Sequence, residues 1–107
     1  MKYLAISSLS LDQHSISIYL KSMPEQDDFI SWLKVFCELN SFTIKDMEIL
    51  ADQAQCAVEF NHQLYLLTIS DTVNCAWIEH TQNNSESIAA LFEHIKLSFS
   101  NTKVEGI

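Results

Sequence analysis

"CAVEFNHQLYLLTISDTVNCAWIEH", residues 56–80, is the stretch on which the fold turns. Cys56 is followed by His62 and Cys75 by His80, so the stretch reads either as a metal or nucleophile site or as strands of one sheet. The alternation in "CAVEFN" and "QLYLLTIS" favours strands. Asn61 and His62 between them are residue types that accept turn geometry. "VNCAWIEH" follows the turn signal "SDT", which makes the whole stretch a three-stranded meander. A two-residue first turn sets Val58 opposite Tyr65 or Leu67, and a three-residue second loop, Ser70–Thr72, pairs Ile69 with Val73. Cys56, Val58, Phe60, Tyr65, Leu67, Ile69, Val73, Cys75 and Trp77 then share one face, expected to be the core surface. A two-residue second turn would put Asn74 on that face, so the odd loop is preferred. With a strand between them, Cys56 and Cys75 stand roughly 10 Å or more apart, too far for a disulfide or a shared metal.

Upstream, "ISSLSLDQHSISIYL" alternates apolar residues with serines and predicts two strands joined near Asp12 and Gln13. "SMPEQDDFISWLKVFCELN" changes period. Ser22 and Glu25 fit a capping box, Pro24 suits a first turn, and Phe29, Trp32, Leu33, Phe36 and Leu39 form a helical stripe. Both tryptophans, Trp32 and Trp77, are expected in one core. "TIKDMEILADQAQ" suits helix or strand and is read as a strand. "NNSESIAALFEHIKLSF" carries asparagine and serine cap candidates, then Ile88, Leu91, Phe92, Ile95 and Phe99 on one helical face. The tail from Asn101 is expected to fray.

Composition argues against several classes of function. The chain has 107 residues, enough for one domain, and a formal charge of −8 from 14 acidic residues and six lysines, without an arginine. Such a chain repels nucleic acid, so no nucleic-acid partner is expected. Its one glycine, Gly106, removes phosphate loops, dinucleotide fingerprints and nucleophile elbows. Three cysteines without a C-x-x-C pair read as buried, reduced thiols and point to the cytoplasm. "MKYLAISSLSLDQ" is interrupted by serines and reads as a strand, not a leader; no stretch approaches the roughly 18 apolar residues of a membrane span, so no membrane partner is expected.

No cofactor, metal site or catalytic residue is expected. His14, His62, His80 and His94 read as solvated or hydrogen-bonded side chains, and His80 with Glu79 would face opposite sides of a strand. What asks for a function is the face opposite the expected core. It carries Leu64, Leu66, Thr68, Ala76, Ile78 and His80, which is apolar for a surface meant to meet water. Leu64, Leu66, Ile78 and His80 are therefore the candidate partner surface, used by a second copy about a twofold axis or by another protein.

The run "ADQAQCAVEFNHQLYLLTISDTVNCAWIEH", residues 51–80, resembles the central segment of a family of small gamma-proteobacterial proteins, a domain of unknown function of about this length. The resemblance rests on the order "AD", "EF", a turn, "LL" and "W-I-E". It implies an α+β domain and a bacterial cytoplasmic protein, and it transfers no functional residue. The expected architecture is a two-layer α+β domain of order β-β-α-β-β-β-β-α, a largely antiparallel sheet with both helices on one face. The expected function is a non-enzymatic interaction module, either a homodimer or an acidic adaptor or inhibitor. The alternative is a small enzyme or ligand-binding domain.

Overall fold

Asn61 and His62 both adopt left-handed backbone conformations, φ 52° and 64°, the combination that a two-residue hairpin loop requires for its twist to match the strands. Phe60 therefore faces Gln63, and the pairing runs on through Val58 to Tyr65, Cys56 to Leu67 and Ala54 to Ile69. In the computed structural model, which describes residues 4–100, the elements are β1 (Ile6–Leu11), β2 (Ser15–Leu20), a 3₁₀ turn (Gln26–Asp28), α1 (Phe29–Leu39), β3 (Thr43–Ile49), β4 (Gln53–Phe60), β5 (Gln63–Ser70), β6 (Cys75–His80) and α2 (Ser85–Ser100). The α+β order read from the sequence is the one observed, and the ambiguous segment is strand β3. The expected fraying from Asn101, and the strand reading of Lys2 and Tyr3, lie outside the described residues.

The six strands lie in the order β1-β2-β6-β5-β4-β3, every neighbouring pair antiparallel. After the first hairpin, α1 carries the chain over the sheet to its far edge. The meander β3 to β6 then walks back until β6 pairs with β2. α1 packs on β3, β4 and β5, and α2 on β1, β2 and β6, so each helix covers half of the same face. Phe36 of α1 meets Phe99 of α2 at 5.7 Å between ring centroids, and Trp32 stacks on Phe36 at 5.3 Å. The Trp32 indole N–H also donates to the Leu4 carbonyl at 3.0 Å, which satisfies its one polar group inside the core.

The start of α1 departs from the sequence reading. Ser22 and Glu25 form no capping box: Glu25 is extended (φ −63°, ψ 154°), and neither it nor Asp28 makes a side-chain capping bond. Pro24 biases the residue before it away from helix, and the helix proper begins only at Phe29. At α2, Asn84 does cap, accepting from the Ser87 N–H at 3.0 Å.

The larger correction concerns the face of β6. The β5–β6 loop has four residues, 71–74, not three. Asn74 is left-handed (φ 63°), and its N–H closes on the Ser70 carbonyl at 2.9 Å. Ser70 then pairs with Cys75, Ile69 with Ala76 and Leu67 with Ile78. Because strand side chains alternate, the one-residue difference exchanges the two faces of β6. Ala76, Ile78 and His80 enter the core beneath the helices, whereas Cys75 and Trp77 lie on the face without helices. Val73 is in the loop, 59% exposed.

The two tryptophans should therefore separate in a stability assay. Trp32→Ala is expected to cost about 3–5 kcal/mol, as for a fully buried aromatic residue, and Trp77→Ala, half-buried, about 1–2 kcal/mol. Denaturant unfolding of both variants checks this, and equal losses would contradict the observed register of β6.

Candidate functional site

The face left open by the helices is built from cross-strand rows. One row crosses the whole sheet: Ser10, Ser17, Trp77, Thr68, Gln55 and Glu48. The next row is Ser15, Glu79, Leu66, Ala57 and Asp46. A third begins with Leu64, opposite Glu59, which is opposite Thr43. Serines thus occupy the β1–β2 side, an aromatic and aliphatic centre lies on β5 and β6, and carboxylates stand on β3, β4 and the end of β6.

The centre of this face is well ordered by its neighbours. Thr68 is fully buried between Trp77 and Gln55, and the Gln55 amide donates to its hydroxyl at 3.1 Å. Trp77 donates its indole N–H to Glu79 at 3.3 Å, which fixes the ring against the strand. Tyr19 and Leu64 stand out at 45% and 46% exposure, and Leu66 is half-buried on β5 between Glu79 of β6 and Ala57 of β4. Asp46, Glu48, Glu59 and Glu79 supply carboxylates, and Lys45 reaches Glu59 at 3.2 Å from the β3 bulge. The face is therefore apolar at its middle, anionic towards β3 and β4, and lined by serines towards β1.

The four residues expected to form a partner surface divide between the two faces of the sheet. Leu64 and Leu66 are on the open face; Ile78 and His80 are on the covered one, for the register reason given above. Tyr19 and Trp77 are the residues the sequence reading missed. The available signal was Asn74: read as a left-handed loop residue and not as the start of a strand, it lengthens the loop to four and turns Trp77 outward.

His80, 4% exposed, is a structural joint between β6 and α2. Its Nδ1 accepts from the backbone N–H groups of Gln82 (3.0 Å) and Asn84 (3.4 Å), which leaves Nε2 as the donor to Gln63 Oε1 at 2.7 Å. His94 packs its ring 4.2 Å from that of Phe60 and donates from Nε2 to the Asn40 carbonyl at 2.8 Å. His80→Leu keeps the volume and strips two backbone donors of their acceptor. It is expected to cost about 2–4 kcal/mol, read by thermal or denaturant unfolding; a loss below about 0.5 kcal/mol would show that the joint carries no stability.

All three cysteines are free and buried. Cys56 and Cys75 lie on opposite faces with β5 between them. Cys37, from α1, instead meets Cys56 across the helix–sheet boundary. The hydrogen bond to Cys56 and then burial hold the Cys37 thiol far above the ordinary thiol range. The same bond favours the thiolate of Cys56 while burial opposes it, and burial alone pushes the Cys75 thiol up. The shared bond pushes Cys37 up and Cys56 down, so its effects within the pair oppose one another, whereas burial alone raises the folded pKa of Cys75, whose contribution to stability is complete below the unfolded thiol range. It is lost as pH climbs past about 8.5, where unfolded thiols ionise. Unfolding free energy measured between about pH 7 and 10 should fall along this course; a flat profile would contradict it.

Hollows among the described residues include one of about 570 Å³ lined by Met23, Pro24, Glu25, Gln26, Asp27 and Asp71, one of about 360 Å³ beside Phe60 and His62, and one of about 160 Å³ beside Gln63 and His80. None of the three brings a cysteine to a histidine. Among the described residues, no group of three or more His, Cys, Asp or Glu side chains is disposed to hold a metal ion, and no helix is long and apolar enough to cross a membrane. No family model, curated protein or solved structure matches the chain.

Proposed function

We propose that this protein is a non-enzymatic cytoplasmic interaction module that presents the open sheet face, centred on Trp77 and Leu66, to a basic protein surface. The observation that carries the reading is the composition of that face: Tyr19 on β2, Trp77 on β6 and Leu64 and Leu66 on β5, with Asp46, Glu48, Glu59 and Glu79 beside them on β3, β4 and β6. Aromatic residues dominate binding energy when a partner desolvates them. Trp and Tyr also accept guanidinium and ammonium groups over their rings. Neighbouring carboxylates steer and orient a cationic partner and repel an acidic one.

Charge also favours a basic protein over a second copy at this face. Sheet-to-sheet contact between two copies would bring four carboxylates from each side together, within the roughly 10 Å over which salt does not fully screen them. A lysine- and arginine-bearing surface meets no such cost, and this chain contains no arginine of its own. The cytoplasm suits three free thiols.

A short arginine-rich peptide is the direct probe. Titrated into isotopically labelled protein, it is expected to shift the Trp77 indole and the amides of Leu64, Leu66 and Glu79. The effect should fade with added salt and disappear in Trp77→Ala combined with Glu79→Lys. Shifts confined to the acidic hollow around Asp27 and Asp71, or no shifts at low salt, would overturn the reading.

A further inference from the structure

The open sheet has two edges, and they differ in kind. β3 carries Lys45, Asp46 and Glu48 and is interrupted by a bulge between Ile44 and Asp46, the usual protection of an edge against pairing. β1, "ISSLSL", carries no charge and no proline, and its one irregularity lies at the Ile6 end, so Ser8–Leu11 form a regular edge. Among the described residues its outer side pairs with no strand.

The hydrogen-bond phase of the first hairpin shows which groups that edge offers. The Asp12 N–H donates to the Ser15 carbonyl at 2.9 Å. In an antiparallel ladder bonded and non-bonded pairs alternate, so Ser10–Ser17 and Ser8–Tyr19 are bonded pairs, whereas Leu9–Ile18 and Leu11–Ile16 are not. The backbone N–H and C=O of Leu9 and Leu11 therefore point away from the sheet.

We propose that β1 pairs with β1 of a second copy, antiparallel about a twofold axis at Ser10 and normal to the sheet. In this register Leu9 of each copy exchanges backbone hydrogen bonds with Leu11 of the other, so every outward group of that stretch is used. The leucine side chains meet on the helix-covered side, where Leu9 already packs against the core and Leu11 is 42% exposed. Ser10 meets Ser10 on the open side. Asp12 falls beside Ser8 of the other copy, which keeps the two carboxylates at opposite ends of the junction. On a chain of charge −8 this neutral strand is where two copies can approach most closely.

An axis normal to the sheet leaves both helical layers on one side and fuses two six-stranded sheets into one of twelve. The two open faces become continuous, side by side. The inference uses the edge and not the face, so it stands apart from the proposed basic partner; if both hold, the dimer is bivalent. A junction of this length buries less than the roughly 1,200 Å² of a standard interface, so a reversible dimer of micromolar or weaker affinity is expected.

Sedimentation velocity across a concentration series, with amide hydrogen exchange, tests the pairing. The wild type should move from monomer to dimer, with the Leu9 and Leu11 amides gaining protection as it does. Leu11→Lys should weaken association by at least about tenfold while leaving the circular dichroism spectrum unchanged. That substitution lowers the net negative charge, which by itself would favour association, so a loss is attributable to the edge. Leu11→Pro removes an outward N–H that makes no bond within the chain and should act in the same direction. Trp77→Ala should dimerise as the wild type does. A wild type that stays monomeric throughout, a dimer that survives both Leu11 substitutions, or one lost in Trp77→Ala would overturn the proposal.

Discussion

The loop that joins β5 to β6 holds the register on which the open face depends. Asn74 closes it through the Ser70 carbonyl, the Val73 N–H reaches the Ser70 hydroxyl at 3.3 Å, and the Asp71 N–H donates to the Asp52 carbonyl at 2.9 Å. Thr72 bonds the Asp52 carboxylate as well. The turn between β3 and β4 thus clamps the turn between β5 and β6, and a shift of one residue would break these bonds together. Since such a shift would also bury Trp77 and Glu79 and expose Ile78, backbone closure and side-chain burial select the same register.

The chain manages its turns almost without glycine. Among the described residues, left-handed backbone falls at Ala5, Ser41, Asn61, His62, Asn74 and Asn83, three of them asparagine, the residue type that best tolerates this region after glycine. At the C-terminus of α1 the arrangement is costly. Asn40 is buried, its amide donates to the Phe36 carbonyl at 2.9 Å, and its own Oδ1 has no partner. An orphaned acceptor of this kind costs about 1–3 kcal/mol. In the same place the Asn40 carbonyl receives His94 of α2, so the residue that ends α1 also ties it to the second helix.

Charge has been kept off the edge β1 and concentrated on β3, β4 and the β2–α1 connection. That distribution leaves three surfaces of different chemistry: a neutral strand edge, an aromatic face that is anionic towards β3 and β4, and an acidic hollow near Asp27 and Asp71. Two copies meeting edge to edge and a cationic partner meeting the face would not compete for the same atoms. Both helices lie on one side of the sheet, which leaves the other face and the edge β1 uncovered by them.

Local periodicity determined much of this protein without any structure. The helical stripes of Phe29, Trp32, Leu33 and Phe36 and of Ile88, Leu91, Ile95 and Phe99, the two-residue turn at Asn61 and His62, the order of elements and the burial of Cys37 and Cys56 all follow from residues close together in the chain. Which face each β6 residue occupies does not. Strand alternation has a period of two and is blind to whether a loop has three residues or four, and here the answer depended on contacts from Asp52, about twenty residues away. The meeting of Cys37 with Cys56, the seating of His94 against Phe60, the enclosure of His80 and the pairing of β6 with β2 are likewise long-range. Only the packed tertiary structure decided them, because side chains far apart in sequence find their partners when layers close, and no periodicity records which layer will lie opposite.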